Sequence, residues 1–200
     1  MEYEIIIQAF WLIIPAYVAN ASALLVGGGT PIDFGKTYKD KKRILGDGKT
    51  WQGLFAGSFI GMSAGFGLSV AAKYAQAYDF PIYLNDFTGF PMMIPLIFSI
   101  CFGALLGDIV ESFFKRRQDI PRGSDWIPFD QLDFIVGVLV TSLLMSTLLH
   151  VLRLIPYNWF FSQFSIYHIL TLLIATPFIH LFSNFVHKKI KTKNAQKQSI

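Results

Sequence analysis

Six of the thirteen acidic residues and four of the seventeen Lys and Arg residues fall in one stretch, 107–133, of this 200-residue chain. The stretch joins two long apolar segments, so part of its charge must lie at the edge of a membrane. Carboxylates near hydrocarbon are costly, and where they persist they usually have a partner or a metal ion. Oxygen ligands beside Lys and Arg suit Mg²⁺ and phosphate together. This stretch is therefore the first candidate for a chemical site.

Helical spacing divides these charged residues into two groups. If the preceding helix continues past the membrane surface, one of its stripes carries Asp108, Ser112, Lys115 and Asp119. Glu111 and Arg116 flank that stripe. After a turn marked by Pro121, the next helix begins with Asp130 and Asp133, where the helix dipole favours negative charge. N-capping explains Asp130, but it does not explain Asp133 one turn deeper, so we predict a cleft between two helix ends.

The composition predicts an all-α polytopic membrane protein. Hydrophobic residues make up 53% of the chain and charged residues only 15%, and the apolar residues form blocks of about twenty, the length of a membrane-spanning helix. We predict a single catalytic domain over 1–186 and a basic tail over 187–200. The domain would contain five transmembrane helices, at Ile5–Val26, Gly53–Ala72, Pro91–Val110, Phe134–Leu152 and Ile166–Val186.

The positions of the basic residues predict the orientation in the membrane. Loops 27–52 and 111–133 and the tail hold fifteen of the seventeen Lys and Arg residues. The positive-inside rule therefore predicts an external N-terminus, with both charged loops and the C-terminus in the cytoplasm. This placement also argues against a nucleic-acid partner, despite the net charge of +4. With Cys101 as its single cysteine, the chain can form no internal disulfide; the oligomeric state stays open.

The first charged loop is rich in glycine and lysine. Its two Gly-Lys-Thr triplets lack the spacing of a phosphate-binding P-loop, but Lys side chains and exposed amides can still bind phosphate. We take Lys36 and Lys49 as the better phosphate ligands and 39–43 as a solvated run; alternatively, the cluster only attracts anionic lipids. Asn20, near the end of the first helix, either makes an interhelical hydrogen bond or contacts the substrate.

The residue types restrict the possible chemistry. Neither charged loop contains His, which argues against a serine hydrolase and against a zinc site. Carboxylates beside Lys and Arg fit a Mg²⁺-dependent nucleotidyl transfer, in which cationic groups neutralise phosphate charge. The alternatives are a small cation-coupled transporter, which would place charge at the bilayer midplane, and a CDP-alcohol phosphotransferase, whose motif order is missing.

Two motifs in the charged stretch resemble known enzymes. The pattern G-D-x-x-E-S-x-x-K-R, followed by Asp119 and D-x-x-D, resembles the phosphatidate cytidylyltransferases. The chain departs from them at Gln118 and Gln131, which replace Lys and Arg, and it lacks their His-Gly-Gly. Together with PAYVANASA, GGGTPIDFGK and RILGDGKTWQG, the pattern resembles the archaeal CDP-archaeol synthase family over nearly the whole chain.

This resemblance implies a reaction and a set of roles. CMP would pass from CTP to 2,3-di-O-geranylgeranylglycerol 1-phosphate, an isoprenoid glycerol phosphate lipid, with Mg²⁺ and release of pyrophosphate. The implied catalytic residues are Asp108, Glu111, Ser112, Lys115, Arg116, Asp119, Asp130 and Asp133. For the metal we expect Asp119 and Asp130 first, then Asp108 and Asp133. Lys115 and Arg116 would hold phosphates, and the groups near the nucleotide or lipid phosphate would be Asn20, Lys36 and Lys49.

Overall fold

Four long apolar helices dominate the computed structural model, which describes residues 2–121, 124 and 126–179. They are α1 (Glu2–Val26), α2 (Trp51–Ala77), α3 (Met93–Arg117) and α4 (Phe129–Val151). Each is long and apolar enough to cross a bilayer. A five-residue helix, α5 (Trp159–Gln163), and a shorter apolar helix, α6 (Ile166–Ile179), follow. Among the described residues there is no β-strand, so the predicted all-helical, polytopic architecture is confirmed.

The number of membrane spans is only partly settled. The four long helices correspond to the first four predicted spans, and α6 corresponds to the described part of the fifth. Residues 180–186 of that predicted helix, and the predicted basic tail, lie outside the described residues. A count of five transmembrane helices therefore stays a prediction.

Small residues let α1 and α2 pack closely. A Cβ atom added at Gly57 would lie 2.8 Å from the Cβ of Ala23, and one added at Gly61 would lie 2.7 Å from the Cβ of Ala19. No larger side chain fits at these distances. Gly53, Gly57 and Gly61, spaced four residues apart on α2, thus form a strip that packs against α1.

The outward faces of the helices are apolar. Phe59 is 71% exposed and Leu144 is 64% exposed, and lipid rather than water is the solvent that suits them. Helix α6 is attached to α1 by polar contacts: the Tyr17 and Thr176 hydroxyls lie 2.9 Å apart, and the His168 ring shares a 3.2 Å hydrogen bond with Gln8.

The long helices extend beyond the predicted spans: α1 begins at Glu2 instead of Ile5, and α2 runs over Trp51–Ala77 instead of Gly53–Ala72. Helix α3 continues to Arg117 instead of ending at Val110, and α4 begins at Phe129 instead of Phe134. The backbone hydrogen bonds of a helix do not require apolar side chains, so a helix can continue through polar residues where it leaves the bilayer. Hydropathy marks only the part inside the bilayer. The extensions of α3 and α4 carry five charged residues of the candidate site, Glu111, Lys115, Arg116, Asp130 and Asp133.

Candidate active site

A cavity of about 620 Å³ lies where the loop after α1 covers the end of α3 and the start of α4. Acidic and basic side chains face each other across it. The charged and hydroxyl residues that line it are Lys42, Arg43, Asp47, Lys49, Asp108, Glu111, Ser112, Lys115, Arg116, Asp119, Asp130 and Asp133. Every residue predicted as catalytic thus lies on one cavity. Their individual roles stay predictions.

Two glycines allow the two helices of the site to touch. A Cβ atom added at Gly107 would clash with the carbonyl oxygen of Asp133, and one added at Gly137 would clash with the carbonyl oxygen of Gly103. Backbone therefore packs on backbone at this crossing. As a result, the carboxylates at the start of α4 lie beside those of α3.

Lys115 joins the two helices electrostatically. Its Nζ atom lies 3.0 Å from Glu111 Oε1 and 2.7 Å from Asp130 Oδ1. The Lys115 side chain is only 13% exposed, so this pairing is less screened than a surface ion pair. Asp130 also accepts a 2.9 Å hydrogen bond from the Trp126 backbone N–H, which fixes the turn that leads into α4.

Three carboxylates form the group that could hold a metal ion. One oxygen from each of Asp108, Glu111 and Asp133 lies within 4.8 Å of the other two. Ligand oxygens stand about 2.1 Å from Mg²⁺, so neighbouring ligands are about 3 Å apart and opposite ones about 4.2 Å apart; the three carboxylates could reach one ion after side-chain movement. An all-oxygen donor set fits Mg²⁺ better than it fits zinc.

Lys49 balances part of this negative charge. Its Nζ atom lies 2.5 Å from Asp108 Oδ2. Lys49 comes from the loop that immediately precedes α2, whereas Asp108 is on α3. The ion pair therefore ties the first loop to the carboxylate group, and it places an ammonium at the edge of the cavity.

Asp119 and Asp130, the first choices for the metal, lie outside this three-carboxylate group. Asp119 is paired with Lys42 at 2.6 Å, and its side chain is 76% exposed. The prediction that Asp119 lies on the helical stripe is wrong, because α3 ends at Arg117 and Asp119 has a positive φ of 57°. The Ile120 N–H donates to the Lys115 carbonyl, which is the hydrogen bond of a Schellman helix end.

A buried carboxylate organises the first loop. Asp33 accepts hydrogen bonds from the N–H groups of Gly35, Leu45 and Gly46 and from the Arg43 guanidinium at 2.9 Å. Burial alone would raise the pKa of Asp33, but these hydrogen bonds hold the pKa well below its usual range. The loop thus folds around one ionised carboxylate.

The prediction of a solvated run at 39–43 is wrong for its last two residues. Arg43 binds Asp33, and it also pairs with Asp47 at 2.7 Å. Lys42 pairs with Asp119 and donates to the Arg117 carbonyl at 3.1 Å. Both side chains line the cavity. The loop has no apolar periodicity to indicate which of its cations turn inward.

Arg117 fastens this loop to the end of α3. Its Nε atom lies 2.7 Å from Asp40 Oδ2, and its Nη2 donates to the Arg43 carbonyl. The guanidinium also lies over two aromatic rings, 4.6 Å from the centre of Phe113 and 5.2 Å from that of Tyr38. One side chain thus joins the loop backbone, a loop carboxylate and the helix.

The remaining predicted ligands lie in different places. Arg116 lines the cavity, and its Nε atom is buried with no hydrogen-bond partner among the described residues. Lys36 is exposed and does not line the cavity. Asn20 lines a smaller crevice next to it. The structure therefore brings Arg116 and Lys49 to the cavity but not Lys36.

A model of the family "CarS-like: CDP-archaeol synthase" matches residues 2–196. The chain belongs to the CDP-archaeol synthase family. The CDP-archaeol synthase of Thermococcus onnurineus is 40% identical over 194 residues, which cover 97% of this chain and 98% of that protein. The CDP-archaeol synthase of Methanosarcina barkeri is 39% identical, with 90% of this chain and 97% of that protein covered.

A solved structure has the same fold. It is described as "Structural insight into an intramembrane enzyme for archaeal membrane lipids biosynthesis", is 33% identical and superposes with a TM-score of 0.64. The similarity covers 90% of this chain and 94% of that one. The resemblance to the CDP-archaeol synthase family inferred from the sequence motifs is therefore confirmed.

Sequence reasoning missed several residues of this site. The first loop is held over the cavity by Asp33, Lys42, Arg43 and Arg117. Gly107 lets α4 approach α3 closely enough for Asp133 to line the cavity. Gly107, directly before the first carboxylate of the stretch, and Gly137 on the next helix were available signals for close helix contact. The ion pairs carried no such signal, because their partners are up to 77 residues apart in sequence.

Proposed function

We propose that the chain transfers CMP from CTP to 2,3-di-O-geranylgeranylglycerol 1-phosphate in the cavity between α3, α4 and the first loop, giving CDP-archaeol and pyrophosphate. As a member of the CDP-archaeol synthase family, the chain is a CTP-dependent cytidylyltransferase. The observation that supports this site is the meeting of carboxylates and cationic side chains in one cavity at the ends of apolar helices.

The reaction requires little covalent work from the protein. An oxygen of the lipid phosphate forms a bond to the α-phosphorus of CTP while the bond from that phosphorus to pyrophosphate breaks. The attacking phosphate is already ionised, so no base has to remove a proton. The protein must instead position the two substrates and neutralise their charge.

Cationic side chains of the cavity are suited to the phosphates. Lys115 is held between Glu111 and Asp130, so its ammonium has a fixed position before any substrate arrives. Arg116 offers guanidinium N–H groups, among them the unpartnered Nε. Arginine can bind phosphate through two parallel hydrogen bonds. We assign the triphosphate to Lys115 and Arg116. Ser112, whose hydroxyl lies 3.5 Å from Glu111 Oε2, orients that carboxylate.

We propose that Asp108, Glu111 and Asp133 hold Mg²⁺. Their spacing and all-oxygen character support this assignment. When bound, the ion would neutralise charge on the triphosphate and on the leaving pyrophosphate. Asp130 instead holds Lys115, and Asp119 holds Lys42 at the rim. Binding of Mn²⁺, followed by electron paramagnetic resonance, should be weakened by Asp133→Asn and retained in Asp119→Asn.

We also propose that the cavity faces the cytoplasm and that the N-terminus is outside. The distribution of Lys and Arg supports this orientation. In this orientation the site would face the cytoplasm, where CTP is available. Single cysteines introduced at Lys39 and at Arg153 should react with a membrane-impermeant maleimide from opposite sides of sealed vesicles. Labelling of both from the same side would contradict the proposed orientation.

An activity assay tests the function. Protein purified in detergent, given labelled CTP, Mg²⁺ and the lipid phosphate, should form CDP-lipid and pyrophosphate in equal amounts. ATP in place of CTP, or omission of the lipid, should give no product. If the wild-type protein forms no CDP-lipid, the proposed function is refuted. Cation flux in liposomes would support the transporter alternative, which the grouping of carboxylates at one end of the helices does not favour.

A further inference from the structure

A second, smaller crevice adjoins the main cavity. Its volume is about 90 Å³, and it lies between α1, α2 and α3. Gly48, Lys49 and Asp108 line both spaces. The 2.5 Å ion pair between Lys49 and Asp108 therefore stands at the boundary between the charged cavity and this crevice.

One wall of the crevice is suited to a polar, anionic group. The Oδ1 atom of Asn20 is buried with no hydrogen-bond partner among the described residues. The amide oxygen and nitrogen positions of Asn are interchangeable by a flip, so this side chain can donate to an incoming oxygen. Thr50 caps α2 here, and the first turn of α2 has no acidic residue. An anion in the crevice would therefore meet no like charge from the start of α2.

The other wall is apolar and faces outward. Leu24 lines the crevice and is 85% exposed at the end of α1. Leu105 and Ile109 of α3 complete this side. A space with the unpartnered Asn20 oxygen and the Lys49 ammonium at its inner end, and the exposed Leu24 at its mouth, fits an amphiphile whose head is anionic.

We propose that the lipid phosphate reaches the cavity from the side, through this crevice, and that Asn20 and Lys49 bind its phosphoglycerol head. This inference rests on the proposed function. The Lys49 ammonium transfers its contact from Asp108 to the arriving phosphate, while the isoprenoid chains run out past Leu24 into the bilayer. The nucleotide uses the aqueous opening of the main cavity instead.

Two neighbouring leucines provide a matched test that does not depend on turnover. Leu24 and Leu25 are 85% and 84% exposed, but only Leu24 lines the crevice. In detergent, saturating lipid phosphate should slow maleimide labelling of Leu24→Cys at least about tenfold, as expected when ligand far exceeds its Kd. CTP alone should not slow it, and labelling of Leu25→Cys should stay unchanged. Wild-type protein, with buried Cys101, gives the background.

Other labelling results would overturn the inference. Equal protection of both cysteines, protection by CTP alone, or no protection of Leu24→Cys would each exclude the crevice as the lipid site. If wild-type protein forms CDP-lipid in the same detergent while Leu24→Cys is unprotected, the lateral route fails and the proposed function stands. If wild-type protein forms no CDP-lipid, the function fails and the inference fails with it.

Kinetics with each substrate varied separately test Asn20. Asn20→Leu keeps the branched shape of the side chain and removes the amide, so the KM for lipid phosphate should rise about tenfold, the value of roughly one hydrogen bond. The Kd for CTP, measured without lipid, should change less than about twofold. A rise in the Kd for CTP with an unchanged lipid KM would assign Asn20 to the nucleotide and overturn the proposal.

Discussion

Arg117 offers the most informative perturbation, because it holds the first loop over the site without lining the cavity. In Arg117→Ala the loop loses the ion pair with Asp40, the hydrogen bond to the Arg43 carbonyl, and the stacking over Phe113 and Tyr38. A charged hydrogen bond contributes about 1.5–3 kcal/mol and a cation–π contact about 0.5–1 kcal/mol. Since the side chain is only 17% exposed, we expect a loss of about 3 kcal/mol of loop docking.

Arg117→Lys should have a smaller effect. An ammonium can keep the charge interaction with Asp40, but it lacks the planar group that stacks on the rings and a second donor in fixed geometry. We expect a loss of about 1.5 kcal/mol, roughly half that of Arg117→Ala. The two variants therefore separate the contribution of charge from that of the guanidinium geometry.

Limited proteolysis measures the loop opening. Chymotrypsin can cleave after Phe34, which is 62% exposed, and the substitutions at Arg117 do not alter that cleavage site. When opening and closing are fast, the cleavage rate follows the open population. Cleavage should therefore be about tenfold faster in Arg117→Lys and about a hundredfold faster in Arg117→Ala. The KM for CTP should rise in the same order, since Lys42 and Arg43 leave the cavity with the loop.

Arg153→Ala is the matched control, because Arg153 is an exposed arginine in another loop. Its loop cleavage and its KM for CTP should equal those of the wild-type protein. Equal cleavage rates in wild-type and Arg117→Ala protein would refute the reasoning. So would acceleration in Arg153→Ala as large as that in Arg117→Ala, because the effect would then be general destabilisation.

Three further predictions concern packing, pH and metal. Gly107→Ala forces a Cβ against the Asp133 carbonyl and should lower both the melting temperature and activity, whereas Gly67→Ala, with open space around it, should leave both near the wild-type level. Because the pKa of Asp33 is lowered in the folded protein, ionised Asp33 stabilises the fold fully above about pH 4, and this contribution is lost as the pH falls through the folded pKa. The melting temperatures of wild-type and Asp33→Asn protein should therefore differ equally at pH 5 and pH 8 and converge only at lower pH. EDTA should abolish CDP-lipid formation and excess Mg²⁺ should restore it, so activity that persists in EDTA would contradict the metal assignment.

The long helices and the general location of the site could be predicted from the sequence, because hydropathy and helical periodicity are local properties. The 100° step placed Asp108, Ser112 and Lys115 on one side of α3, and all three line the cavity. The same rule failed at Asp119, where the helix ends. Periodicity describes a helix but does not say where a Schellman turn will end it.

The arrangement of the first loop could not be predicted in the same way. Its cations are sorted by partners from distant parts of the chain: Arg117 contacts the Arg43 carbonyl across 74 positions, and Lys42 meets Asp119 across 77. Such pairs depend on how α1, α2 and α3 pack together, which no local pattern describes. Lys36 and Lys49 looked equivalent in Gly-Lys-Thr triplets, but within the described part of the chain only Lys49 is paired with a carboxylate, and Thr50 beside it caps α2.

The most direct test of the central claim compares two aspartates that differ in place but not in chemistry. Asp133 lines the cavity at the start of α4, whereas Asp79 is exposed in the loop after α2. With labelled CTP, Mg²⁺ and the lipid phosphate, Asp133→Asn should form CDP-lipid at least about a hundredfold more slowly than wild-type protein, the loss expected when charge stabilisation in a transition state is removed. Asp79→Asn should match the wild-type rate. Wild-type activity in Asp133→Asn would contradict the assignment of the cleft between α3 and α4 as the catalytic site.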